Sequence, residues 1–371
     1  MFEDIRPYND AETQNVLQKI LKDRKFAKSI GSLLTPRLNE KAPWLVQPLV
    51  IGIIKSYLGR VKTIDSLQMK IKPLVHVLLK KSISELSVHG LEHLDTSKSY
   101  LFISNHRDII MDPCIICWAL VQNGFRTPRL AIGDNLLTLP FSSNLMRLNK
   151  SFIVKRNLET RREKLNAAKQ LSSYIQFSLS EDKSSVWIAQ REGRAKDGYD
   201  LTNPALISML SLSRSGQISY SDYINSLNIV PVAISYELDP LDLVKARELY
   251  TYKFKGKRSK RHNEDLISIA RGITGWKGRV HVEFGKPIGG DFQTEKEVAS
   301  TIDKHLHYNY RTFGTNAWAE AALDGSSLPT SHDKSIELLR KRVHFARDEI
   351  KPYILKQYAN SMRMRRGEPP F

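Results

Sequence analysis

From about residue 86 the chain is punctuated by seven short runs rich in β-branched and aromatic residues: LSVHG, YLFIS, PRLAIG, SFIVK, SSVWIAQ, NIVPVAIS and GRVHVEFG. Helical periodicity fills the intervals, most clearly from Leu158 to Leu179, where Leu165, Ala168, Leu171, Ile175 and Leu179 recur at steps of three and four. SVWIAQ and IVPVAIS are apolar on both faces, a pattern that suits strands of a sheet covered on both sides. Together these patterns confine this part of the chain to an α/β domain.

What flanks it is helical. Asn9 followed by Glu12 three residues later is a capping-box pattern ahead of Val16, Leu17, Ile20 and Leu21, and no strand-like alternation interrupts residues 1 to about 85. The second half of that region mixes PLVIGII and IKPLVHVLL with Lys55, Arg60, Lys62, Lys70, Lys72, Lys80 and Lys81, against the single acid Asp65. An apolar face edged by cations suits an acidic bilayer surface; a helical layer packed on the next domain, with a solvated basic rim, fits the same residues. Beyond Pro287 the chain turns helical again and ends in a basic helix, with Arg340, Lys341, Arg342, Arg347, Lys351, Lys356, Arg363, Arg365 and Arg366, which Pro352 is expected to break or kink. The cationic cluster from Lys253 to Arg261 has no aliphatic interleaving and reads as an exposed loop. The expected organisation is a helical N-terminal region (1–85), an α/β domain (86–290) and a C-terminal helical basic segment (291–371).

Composition narrows the function. With 57 Lys and Arg against 39 Asp and Glu, the net charge of +18 calls for a polyanionic partner, nucleic acid or an anionic lipid surface. A hydrophobic content of 41% excludes wholesale disorder. The opening MFEDIRPYNDAE has no apolar secretory core, and the longest nearly apolar run, Pro43 to Ile54, falls short of the ~17–25 residues a spanning helix needs. A cytoplasmic protein without a transmembrane segment is expected. Cys114 and Cys117 are too few for a disulfide framework or a four-thiolate metal site, and their apolar setting reads as core rather than redox chemistry. His89 and His93 lack a third ligand, so no metal is expected.

The densest polar cluster is Asn105-His106-Arg107-Asp108-Ile109-Ile110-Met111-Asp112, between the strand YLFIS and the helical run PCIICWALVQNG. Catalytic groups of α/β sheets gather at the carboxyl ends of strands. A His within reach of a carboxylate is the common device for taking a proton from a hydroxyl near neutral pH, and either Asp112 or Asp108 can serve as that carboxylate. The structural alternative is that Asp112, followed by Pro113, merely caps the next helix. His-Arg-Asp also opens the catalytic loop of protein kinases, but Pro113 replaces the kinase Asn, and the glycine-rich and D-F-G segments are missing.

Three further segments follow in order: Ile153-Val154-Lys155-Arg156-Asn157, then Trp187 to Lys196 (WIAQREGRAK), then Ile229 to Glu237 (IVPVAISYE). With the first cluster they resemble the four ordered blocks of the glycerolipid acyltransferases, the glycerol-3-phosphate and lysophosphatidate acyltransferases, over about residues 86–240. The resemblance implies an α/β fold with a mixed sheet flanked by helices. It also implies that His106 is the base, that Asp112 is its partner, and that Arg156 binds the acceptor. Glu192 and Gly193 match the Glu-Gly of the third block, and Pro231 matches the proline of the fourth. Two departures stand out. Five residues separate His106 from Asp112 where the family has four, so that either a bulge absorbs one or Asp108 is the partner. Arg194 follows Gly193 directly, with Lys196 two further on, which leaves open which cation meets a phosphate.

The function so implied is acyl transfer from acyl-CoA or acyl carrier protein, as co-substrate and without a cofactor, to glycerol 3-phosphate or lysophosphatidate. The protein would work as a peripheral enzyme on the cytoplasmic face of an acidic membrane. Its rivals are a noncatalytic basic nucleic-acid-binding module, which has no sequence signature beyond charge, and an acyltransferase for a non-phosphorylated lipid acceptor.

Overall fold

A computed structural model describes residues 2–137, 139–256, 264–327 and 333–371. The chain forms two compact units, Met1–Val77 with Arg129–Ala167, and Leu78–Pro128 with Ala168–Phe371. All seven apolar runs form strands: β1 (Ile83–His89), β2 (Leu101–Ser104), β3 (Arg129–Gly133), β4 (Ser151–Val154), β5 (Val186–Ala189), β6 (Ile229–Tyr236) and β7 (Gly278–Phe284).

In the first unit, the Asn9 side chain accepts from the Glu12 amide at 3.2 Å, while the Glu12 carboxylate accepts from the Asn9 amide at 2.7 Å. This capping box opens the helix Asp10–Lys22. Helices Arg24–Leu34, Pro36–Lys41 and Pro43–Leu58 follow, and Ile64–Ser82 begins in this unit. Val16, Leu17, Ile20, Phe26, Val61 and Leu67 pack with Phe141 and Leu148 of the helix Pro140–Leu148, which connects the parallel strands β3 and β4. One face of Pro43–Leu58 is left uncovered: Trp44, Leu45, Leu49 and Ile53 are all exposed.

The second unit holds a mixed sheet in the order β1-β7-β6-β2-β5. β2 runs parallel to β5 and β6, β7 runs antiparallel to β6, and β1 lies parallel to β7. Every residue of β6 is buried, which explains why its sequence is apolar on both faces. Pro231 is tolerated there because it lies at the end of the β6–β7 pairing: its carbonyl accepts from Gly285 at 2.8 Å, and only the reciprocal bond is forgone. Helices Gly314–Asp324, Lys334–Phe345 and Lys351–Arg366 share a core with Asp242–Lys255, in which Ala246, Trp318, Leu339, Ile354 and Tyr358 are buried together. Pro352 sits in the first turn of Lys351–Arg366 and marks a new helix rather than a kink.

Lys253 and Lys255 lie in the last turn of Asp242–Lys255, where cations complement the helix dipole, and not in a loop. The remainder of that cationic cluster, Lys257–Arg261, lies outside the described residues. Gly90 leaves β1 with φ +85°, and a Cβ there would stand 1.8 Å from the Phe284 carbonyl oxygen. Gly90→Ala should therefore destabilise the fold by at least about 1–3 kcal/mol, read as a lower urea midpoint at constant m-value.

Candidate active site

At the end of β2 the chain leaves the sheet because Asn105 takes over the ladder. Its amide donates to the Ile234 carbonyl at 2.9 Å, and its carbonyl accepts from the Ile234 amide at 2.8 Å. The same side chain donates to Asp200 at 3.2 Å. With β6 satisfied by a side chain, the main chain is free to turn. Asp108 clips that turn, its Oδ1 accepting from the amides of Ile110 and Met111 at 3.0 and 2.9 Å.

Asp112 is then the second residue of the helix Met111–Gln122 and is fully buried. It is not the cap that the Asp-Pro pair also allowed, because the helix already begins one residue earlier, at Met111. Its Oδ2 accepts from the amides of Arg107 and Asp108 at 2.6 and 2.9 Å and lies 2.8 Å from His106 Nδ1. Because that oxygen only accepts, Nδ1 carries the proton and Nε2 presents a lone pair. The imidazole is held edge-on to Trp187, with centroids 5.8 Å apart, and Trp187 Nε1 is fixed by Ser104 Oγ at 3.0 Å. The His106 carbonyl accepts from Ala195 at 2.8 Å, which ties the first block to the third.

Charge surrounds this loop. Arg107 is paired with Asp200 at 2.5 Å and lies over the Tyr310 ring. Buried Lys245 donates to the Arg107 carbonyl at 2.8 Å and to Asp239 at 2.5 Å. Burial, and next the charge of Asp112, push the Asp108 carboxyl above the ordinary range. Its Oδ2 has no hydrogen-bond partner and packs against Gly272, where a Cβ would fall 2.1 Å away. Burial likewise lowers Lys277 to about 8 although Asp108 and Asp239 favour its charge. Asp108 thus clips the turn, while Asp112 is the residue bonded to His106.

In the third block Glu192 and Gly193 are exposed, and Gly193 has φ +75°, a conformation that favours glycine. Lys196 is engaged with Glu248 at 2.6 Å. Burial alone would raise Glu248, but Lys196 holds its carboxyl below the usual range. Arg194 is half-buried, and its Nη1 has no hydrogen-bond partner among the described residues. Arg156, in the first unit, is exposed just after β4. Its amide donates to Asp134 at 3.1 Å, and its guanidinium crosses Gly133, where a Cβ would stand 2.9 Å from Nε. Cys114 and Cys117 are unbridged and half-buried rather than wholly in the core, and burial pushes the Cys114 thiol to about 11. Among the described residues no three His, Cys, Asp or Glu side chains gather as a metal site.

Two residues of the site had been given no role. Trp187 supports the imidazole, and the buried Tyr236 hydroxyl donates to Asp112 Oδ1 at 2.7 Å. The available signal for Tyr236 was a phenol at the carboxyl end of an otherwise apolar strand, beside the strand that carries His106.

Residues 85–235 match the protein-family model described as Acyltransferase. A glycerol-3-phosphate acyltransferase of Hamiltonella defensa subsp. Acyrthosiphon pisum (strain 5AT) is 25% identical over 229 residues, 60% of this chain and 25% of that protein. The chain thus spans about a quarter of that relative's length. The 1-acyl-sn-glycerophosphate (LPA) acyltransferase PlsC of Thermotoga maritima aligns with 80% of this chain and 94% of its own, with a TM-score of 0.40 and 11% identity. The matched segment runs from within β1 almost to the end of β6, and with the site it carries it defines an α/β acyltransferase domain. Over that segment the chain carries an acyltransferase domain and is similar to a glycerol-3-phosphate acyltransferase.

The two aspartates separate by substitution. Asp112→Asn removes the charge that stabilises the imidazolium and leaves one accepting oxygen where two are used, and should lower acyl-transfer turnover by about 10²–10⁴. Asp108→Asn, which keeps an oxygen for the turn, should cost less than about tenfold. Turnover assays of both purified variants check the contrast.

Proposed function

We propose that the protein transfers a fatty acyl group from the thioester of acyl-CoA or acyl carrier protein to a hydroxyl of glycerol 3-phosphate or of lysophosphatidate. The observation that carries this reading is the 2.8 Å bond from His106 Nδ1 to Asp112, which leaves Nε2 as a base on a ring still 14% exposed. His106 takes the acceptor's hydroxyl proton as its oxygen attacks the thioester carbonyl. The tetrahedral adduct collapses with cleavage of the C–S bond, and the departing thiolate takes the proton back from the imidazolium. Neither a covalent enzyme intermediate nor a cofactor is required.

A phosphate monoester brings close to two negative charges. Arg194, with an open buried Nη1, is better placed to meet it than Lys196, which Glu248 already neutralises. The family resemblance also assigns Arg156 to the acceptor. Glu192, Gly193 and Pro231 shape the acceptor and acyl sites.

The enzyme would work at the cytoplasmic face of an acidic membrane. Trp44, Leu45, Leu49 and Ile53 line an uncovered apolar face, with Lys55 on the same helix. Met69 and Leu74 are exposed on the following helix beside Lys70 and Lys72. No described helix is long and apolar enough to cross a bilayer. The aliphatics interleaved with cations in residues 43–81 favour lipid over nucleic acid as the larger partner, and among the C-terminal cations Arg342 is paired with Asp242, Lys351 with Asp348, and Arg366 with Glu320. Leu49→Glu with Ile53→Glu should abolish co-sedimentation with phosphatidylglycerol vesicles at physiological salt; retained sedimentation would move the docking surface elsewhere.

Purified protein offered labelled palmitoyl-CoA or palmitoyl carrier protein, with glycerol 3-phosphate or lysophosphatidate in separate reactions, tests the reaction. Product should form with one phosphate acceptor and fall by about 10²–10⁴ in His106→Ala. No product from any pairing overturns the proposal.

A further inference from the structure

We propose that Tyr236 is a positioning residue of the acyl-transfer site, setting the basicity of His106 through the far oxygen of Asp112. This rests on the reading of His106 as the base. The argument begins with the asymmetry of the Asp112 carboxylate. Oδ2 accepts from two backbone amides and from His106, whereas the hydrogen bond made by Oδ1 is that of the Tyr236 hydroxyl at 2.7 Å. Asp112 is fully buried, so water cannot replace that donor, and without it Oδ1 would be a buried acceptor with nothing to accept.

The bond does two things. It fixes the carboxylate plane and with it the direction in which Oδ2 faces the imidazole. It also draws electron density toward Oδ1 and so moderates how strongly Oδ2 stabilises the imidazolium. The tyrosine keeps its own proton, because burial and the neighbouring Asp112, Asp108 and Asp239 push its ionisation well above the ordinary value. Most of the other charges around this point already have partners of their own. Lys245 is bound to Asp239 and to the Arg107 carbonyl, Arg107 is paired with Asp200, Lys277 donates to the Gly275 carbonyl, and Arg194 and Lys196 lie on the loop tied to the His106 carbonyl.

The sign follows. Removing the hydroxyl concentrates charge on Oδ2 and raises the pKa of His106; strengthening the donor lowers it. In Tyr236→Phe the acid limb of kcat/KM should move to higher pH and kcat should fall roughly tenfold, the worth of a hydrogen bond to a charged group. KM for both substrates should stay within about twofold, because the bond touches neither. Replacement of Tyr236 by a fluorinated tyrosine, whose hydroxyl is a stronger donor, should move the limb the other way. That second replacement keeps the buried hydroxyl, so it remains informative if Tyr236→Phe fails to fold.

NMR titration of the labelled His106 ring reads the same pKa without turnover. An upward shift in Tyr236→Phe with a downward shift in the fluorinated protein supports the inference, even in a protein that transfers no acyl group. A His106 pKa that moves in neither protein overturns it, even where acyl transfer is intact. In an Asp112→Asn background Tyr236→Phe should cost little more. Fully multiplicative losses would mean that Tyr236 acts by packing alone and would also overturn it.

Discussion

Everything near the candidate site depends on one fully buried carboxylate and the need to fill its lone pairs. A charge so placed survives only when donors surround it. Asp112 draws them from separate parts of the chain: His106 and two backbone amides from the loop after β2, and a phenol from the end of β6. The order of the loop is a consequence of that demand. The Arg107 and Asp108 amides point inward because the carboxylate is there, and the imidazole is held in one tautomer for the same reason.

Around this centre the protein tolerates an unusual density of buried charge. Arg107 with Asp200, Lys245 with Asp239, and Arg342 with Asp242 are pairs in which at least one member is nearly inaccessible. Such pairs add little net stability relative to an apolar core, but breaking one is expensive, which makes them effective at enforcing a single geometry. Asp108 and Lys277 have no ion-pair partner among the described residues, and burial shifts each toward its neutral form.

The α/β architecture was legible because strand-forming runs and helical intervals differ in period, and that difference survives in a single sequence. The both-faces-apolar pattern of IVPVAIS corresponds to a strand buried along its whole length. The cluster from Asn105 to Asp112 was legible as a site because polar residues interrupt an apolar context at the end of a strand. What was hidden depends on partners far away in sequence. Asp112 looked like a helix cap because Pro113 follows it; that the helix begins earlier, at Met111, with Asp108 accepting from the Ile110 and Met111 amides, is a matter of loop geometry. The role of Tyr236 was invisible for the same reason, since period-two reasoning assigns it a face but not a partner. Lys253 and Lys255 were misplaced because charge density was read as a loop, where the helix simply ends in cations.

The side chain of Asn105 closes the ladder with Ile234, 129 positions later, and Asp112 meets Tyr236 at a separation of 124. During synthesis, therefore, the histidine leaves the ribosome well before its surroundings exist. A nascent chain that stops short of β6 has His106 but neither the strand to which Asn105 bonds nor the phenol that completes the carboxylate. The hydrogen-bond shell around His106 and Asp112 is therefore completed late in the life of the chain, with the docking of the central strand.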